Sequence, residues 1–483
     1  MQGWKPVGIA VIALSASLAF AQDAPESLLP PGFDDPEPEE VEAPPPSPPP
    51  QSGPVPVAPP PVAGPIQPPV PGVVPLPPGL DLGSIDLSGI PSVEELEEMT
   101  TDELDAILGL KPSYDIPPAA RRSMEQVGVL DRSEGGFMPR SLARQPASLI
   151  RAILAGADGP IVSRWGHILL RRALASRLSA PEGMSPAEFT ALRARALNNI
   201  GEHAVARALV QDVDTGNWDD ALTAAALDAY IGTADIIGAC PAVRLHRSQR
   251  DNANWTMLQA ICNSYAGESV LGGRQLDRAL GEEIAPRIDV LLAQRFAGAA
   301  GRGSRAVDVE WDEVEDLNPW RFALANALGE EIPEALRLSA GPYYQRIWAS
   351  APMLPLPQRA IGADRAGREG ILSSSAMVDL YSRIYADDTI TGDSADVAVN
   401  LREAYIAGDP ADRLSAMQKI WGGDRAEDYG RYVLTAYAAA RIPASEEFAD
   451  DADALVTSML AAGLDRDALA WKDVIAQGSS AWA

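Results

Sequence analysis

The chain has 483 residues, 46% of them apolar and 22% charged, and its 67 acidic against 39 basic side chains leave a net charge of −28. Length and apolar content allow roughly two to four domains, while a charge of this sign excludes nucleic acid, whose phosphates it repels. With 35 arginines against four lysines, three histidines and two cysteines, the cationic and metal-ligating side chains are few in kind and easily located.

The N-terminus reads as an address. Lys5 precedes an apolar run over residues 7–21 that ends Ala19-Phe20-Ala21, the charged, apolar, small-x-small order of a secretory signal peptide. The run is shorter than the ~20 residues that span a bilayer, so residues 1–21 are expected to be removed after Ala21; an uncleaved anchor is the alternative. Gln22 follows where a lipoprotein would carry cysteine. No later run predicts a transmembrane segment, and the mature chain is expected in the periplasm, an oxidising compartment.

Residues 22–90 are predicted to be a disordered, acidic, proline-rich linker: 23 of the 43 prolines fall between Asp23 and Leu80, and such composition favours extended polyproline-II segments over a core. Such a stretch acts either as a spacer of about 150 Å reach or as a solubilising tail. Residues 91–110 predict an acidic amphipathic helix, with Ser92 and Glu95 spaced as a capping box and Val93, Leu96, Leu104, Ile107 and Leu108 at helical intervals. Its apolar face belongs either on this chain or on a partner.

The charge then reverses. Residues 22–120 hold 18 acids and one base, residues 121–180 ten arginines and four acids. Arg164, His167 and Arg171 fall on one helical face, a stripe suited to an anionic envelope component such as a polymer or lipid headgroup, or to the acidic helix of the same chain.

Residues 120–478 predict an all-α domain of short helical hairpins, a TPR-like α-solenoid. Ser185-Pro186-Ala187-Glu188 and Asn318-Pro319 are helix starts. Glycines 201, 232, 267, 298 and 329 follow helical stretches at intervals of 31, 35, 31 and 31, the period of stacked helix pairs. Cys240 and Cys262, with Trp255 between them, predict a disulfide across one hairpin rather than a redox or metal pair. The intervening loop offers Arg244, His246, Arg247 and Arg250, with Trp255, as a second possible contact surface. Residues 301–317 interrupt the repeat; their six acids lack calcium-loop spacing and predict a solvated loop or short extended insert. The helical rhythm then resumes, closing with helices near 446–462 and 465–477.

The signal peptide, the proline-rich stretch, SRWGHILLRRALASR, the Cys-Trp-Cys hairpin and APMLPLPQRA together resemble a group of exported helical-repeat proteins of alphaproteobacteria. The resemblance covers roughly residues 120–445. It implies compartment and fold and carries no catalytic residue.

Catalytic patterns are absent from the sequence. No phosphate loop, nucleophile elbow or zinc helix occurs; His167, His203 and His246 are too scattered to predict a metal site, and no cofactor is expected. The function expected is a non-enzymatic scaffold or adaptor that binds a protein or other envelope component. The alternative is an envelope enzyme acting on peptidoglycan, since soluble lytic transglycosylases pair an α-superhelix with a catalytic glutamate in a Glu-Ser motif. Glu268-Ser269 is such a pair within the helical region, without the flanking segment that would support it.

Overall fold

The computed structural model describes residues 120–245, 252–300, 307–424, 426 and 428–482; the predicted signal peptide, linker and acidic helix lie outside them. Of the described residues 63% are helical and 1% extended, with no sheet, so the domain is the all-α helical array the sequence predicts. Its helices are α1 (Ala147–Ala155), α2 (Arg164–Ala175), α3 (Pro186–Asn199), α4 (His203–Gln211), α5 (Asp220–Gly232), α6 (Cys240–Leu245), α7 (Ala253–Tyr265), α8 (Ser269–Gly281), α9 (Arg287–Gly298) and α10 (Pro319–Leu328). There follow α11 (Glu334–Ser339), α12 (Pro342–Ser350), α13 (Leu356–Glu369), α14 (Ser374–Tyr385), α15 (Asp393–Ile406), α16 (Pro410–Trp421), α17 (Tyr429–Ala439), α18 (Ala452–Ala461) and α19 (Asp465–Leu469).

The start signals work as local chemistry predicts. Ser185 Oγ accepts from the Glu188 backbone N–H at 3.0 Å, and Asn318 Oδ1 from that of Arg321 at 2.7 Å, each before a proline at the first helical position. One detail differs from a capping box: the Glu188 carboxylate turns to Arg151, at 2.5 and 2.9 Å, because a bidentate charge-assisted pair outweighs one bond to a backbone N–H.

The glycine period marks the ends of α3, α5, α7, α9 and α10. After α9 the second helix of the pair is replaced by the insert, which is irregular over its described residues; Val309, Trp311, Val314 and Leu317 pack on the core, so it is not simply a solvated loop. Neighbouring helices pack as hairpins, α3 on α4, α7 on α8, α12 on α13, α15 on α16 and α17 on α18, and alternate helices stack, α3 on α5 and α7 on α9. That is the contact pattern of a solenoid, each unit covering the apolar face of the last. Close approach is built into the C-terminal helices: a Cβ at Gly362 would lie 2.0 Å from Gln345 O, and one at Gly430 2.1 Å from Asp364 O. The final helix ends at Leu469, earlier than predicted, and the chain continues in turns that bury Trp471.

Two apolar cores result, one over residues 127–354 and one over residues 360–471. Besides the packing of α12 on α13, polar side chains cross between them. Arg164 of α2 donates from Nε to Ala461 O at 3.0 Å and from Nη1 to Leu372 O at 3.1 Å and to Gly367 O. Arg171 donates to Gly370 O at 3.0 Å and to Glu202 at 2.9 Å. His167 is fully buried, its Nε2 2.8 Å from the same Glu202 carboxylate.

Candidate functional site

The regular stacking is interrupted at α10 in a way that leaves space. Where α3 stacks on α5 and α7 on α9, α10 returns across the array to pack against α5. A cleft of about 340 Å³ opens between α5, α7 and α10. Its floor is Trp255, Leu258 and Trp320, all buried, with Leu227 and Ile231 half-buried beside them; its rim is Asp228, Asn252 and Asn254, all exposed. Asn252 caps α7, its Oδ1 accepting from the Trp255 backbone N–H at 2.7 Å. That cap fixes the first turn of α7 and so the indole above it.

The disulfide holds the same helix from its other end. Cys240 and Cys262 are joined, with Cα atoms 5.3 Å apart, linking the start of α6 to the α7 face that Trp255 shares seven residues earlier. Opposite, Trp320 is 2% exposed and its indole N–H finds no hydrogen-bond partner among the described residues. A buried donor left unpaired costs ~1–3 kcal/mol. An apolar floor and a polar rim are the elements of a side-chain anchor site.

The residues singled out in the sequence fare differently. Trp255 lies on the cleft floor. Arg244 is half-buried on α6 and donates from Nη2 to Glu268 at 3.3 Å; His246, Arg247 and Arg250 lie outside the described residues. The stripe Arg164, His167, Arg171 is not an outward surface: Arg164 and His167 are 7% and 0% exposed and, with Arg171, are spent on Glu202 and on backbone carbonyls between the two cores. Burial pushes the Arg164 guanidinium below its usual range, with Tyr429 acting against that and Arg171 reinforcing it. The reason is arithmetic: these residues are three and seven positions apart, a spacing that describes a buried polar seam as well as an exposed one. Trp320, the residue that completes the site, is 65 positions from Trp255; the helix start before it was legible, but no local pattern signals that α10 folds back.

A larger groove of about 560 Å³ lies between α14 and α15, lined by Val378, Tyr385, Leu401, Arg402, Tyr405 and Ile406 among others. Arg402 sits over the Tyr385 ring at 4.8 Å, and no lining residue has a buried polar atom lacking a partner. Nothing in that groove asks for an oriented ligand.

Carboxylate chemistry is equally tied down. Burial raises the Asp364 carboxyl from its usual range, against the pull of Arg431; Arg431 nonetheless pairs with it at 2.6 Å, and the neighbouring Asp428 pairs with Arg368 at 2.5 Å. Glu268 is 14% exposed and receives Arg244. No group of three His, Cys, Asp or Glu among the described residues is placed to hold a metal ion, and no helix among them is long and apolar enough to cross a membrane. Compared with family models, with curated proteins and with solved structures, the chain matches none.

Proposed function

We propose that the chain is an exported, non-enzymatic α-solenoid adaptor, and that the cleft between Trp255 and Trp320 receives an apolar side chain of a partner protein in the cell envelope. The observation that carries this reading is the cleft itself, a gap in helix stacking with an apolar floor and a polar rim. An apolar side chain fills the floor, while polar groups of the partner meet Asp228, Asn252 and Asn254 at the rim. Export is supported by the disulfide and by the order of residues 1–21.

The test fills the cleft rather than emptying the core. Ala224 lines it and is half-buried, so Ala224→Trp blocks the space without deleting a packed side chain. Wild type and this variant, matched by circular dichroism and melting temperature, are used to capture proteins from envelope extract, with retained species identified by mass spectrometry. One protein held by wild type and lost in Ala224→Trp, and again in a variant with Arg247 and Arg250 changed to Glu, is the expected outcome. Capture indifferent to Ala224→Trp, or release of soluble fragments from cell-wall material by the purified chain, refutes the adaptor reading. N-terminal sequencing of the exported chain checks the compartment: a first residue of Gln22 is expected.

A further inference from the structure

A second surface, independent of the tryptophan cleft, lies where the described chain begins. An open cleft of about 650 Å³ is lined by Met124, Met184, Ala180 and Pro186, with Glu125, Gln126, Ser179 and Arg140 around it. The chain just before Arg140 adds Phe137 and Met138, exposed at 39% and 59%. Arg122, Arg140 and Arg144 make no ion pair with any described residue, whereas Arg151, Arg171 and Arg177 are each paired. The lining thus sets one cation, Arg140, and one carboxylate, Glu125, beside the apolar Met124, Ala180 and Pro186, and Arg144 follows Arg140 by four residues.

We infer that residues 93–108 of this same chain dock there as an amphipathic helix, placing Leu104, Ile107 and Leu108 on Met124 and Met184 and their acids towards Arg140 and Arg144. Three observations select this occupant. Residues 91–110 hold seven acids and no base, together with five apolar side chains at helical spacing, so their charge is opposite to that of Arg140 and Arg144, neither of which is ion-paired with a described residue. The nine residues 111–119 reach up to about 30 Å, and the cleft begins only four residues after Ala120, which makes the local concentration of the segment high. Finally, the arginine stripe, the other cationic partner the sequence offers this acidic helix, is occupied inside the fold by Glu202 and backbone carbonyls.

The test is amide hydrogen exchange across residues 93–108 in the purified full chain. Docking predicts exchange at least tenfold slower than the unstructured-peptide rate. It predicts return to that rate in Leu104→Asp, which leaves the folded array untouched, and in Arg140→Glu/Arg144→Glu, with protection restored when Glu97→Arg/Glu98→Arg is added to the latter. Unstructured-rate exchange in wild type overturns the inference. So does protection that survives Arg140→Glu/Arg144→Glu in a chain whose melting temperature is unchanged, since the segment then sits elsewhere. Protection that rises with protein concentration overturns it in favour of a second copy.

Discussion

Arg164→Leu removes the cation that spans the two cores. The guanidinium holds three carbonyl oxygens, those of Gly367, Leu372 and Ala461, from a position 7% exposed. Leucine fills part of the space and donates nothing. Each orphaned buried acceptor costs ~1–3 kcal/mol, but Gly367 O also accepts from the Gly370 backbone N–H at 3.2 Å, and the variant recovers the desolvation that lowers the Arg164 pKa. The low end of the range is appropriate, about 3 kcal/mol in total. At about 2 °C or more per kcal/mol, calorimetry should show the unfolding transition fall by roughly 6 °C or more. The core over residues 360–471 should unfold first, because of the bonds that tie it to α2 only those of Arg171 to Gly370 O and Ile371 O are then left among the hydrogen bonds described. A transition within 1 °C of wild type, still single, would mean that apolar contact alone joins the cores and that the polar seam is incidental.

Reducing the Cys240–Cys262 disulfide, or Cys240→Ser/Cys262→Ser, frees a loop of 22 residues and should cost ~3 kcal/mol, read as a lower urea midpoint under reducing conditions. Asp289→Asn removes the buried carboxylate paired at 2.9 Å with Arg321, both side chains being 4% exposed, and leaves Arg321 only the exposed Asp316 at 3.0 Å; a loss of about 1–3 kcal/mol is expected, most of it recovered in Asp289→Leu/Arg321→Met. His203 is held neutral: burial, reinforced by Arg346 and opposed by Glu202, lowers its pKa from 6.5 to about 4. The folded state thus binds fewer protons than the unfolded chain below pH 6.5. The stability is full above that pH and declines as pH falls towards 4, by about 3 kcal/mol in all. Urea midpoints between pH 7 and 4.5 should fall more steeply for wild type than for His203→Gln; parallel curves would contradict a buried neutral imidazole.

The fold was legible because its determinants are local. Ser185, Asn318 and the spaced glycines act within one turn of where they stand, and the two cysteines left a single pairing. The site was half legible for the same reason. Trp255 stands out between the cysteines, but Trp320 joins it only because α10 packs back on α5, a choice set by packing far along the chain. The basic stripe misled because amphipathic spacing gives a face and not its direction. A run of Trp165, Ile168 and Leu169 invites the apolar side inward, yet Trp165 and Leu169 are 48% and 58% exposed while Arg164 and His167 are buried. The inward face of α2 meets the carbonyl-bearing ends of α13 and α18, where a cation serves better than a hydrocarbon.

That last point gives the arginine excess a structural meaning. Arg193, 1% exposed, donates to Leu174 O, Ser176 O and Val127 O at 2.5–2.9 Å and lies 5.0 Å from the Phe189 ring centroid. Burial lowers its pKa to about 9, with Asp212 acting in the opposite sense, so it stays charged at neutral pH. Arg321 joins α10 to Asp289 of α9 across the insert, and Arg346 joins α12 to Glu369 of α13 at 2.5 Å. Each of these, like Arg164, sits where helix or segment ends present carbonyls or carboxylates to one side chain. A planar fork with five donors reaches several such acceptors from one side chain, which a lysine ammonium on a flexible stem does not. A solenoid of short helices has many ends for its length, and hence many orphaned carbonyls; this chain closes several of them with buried arginines.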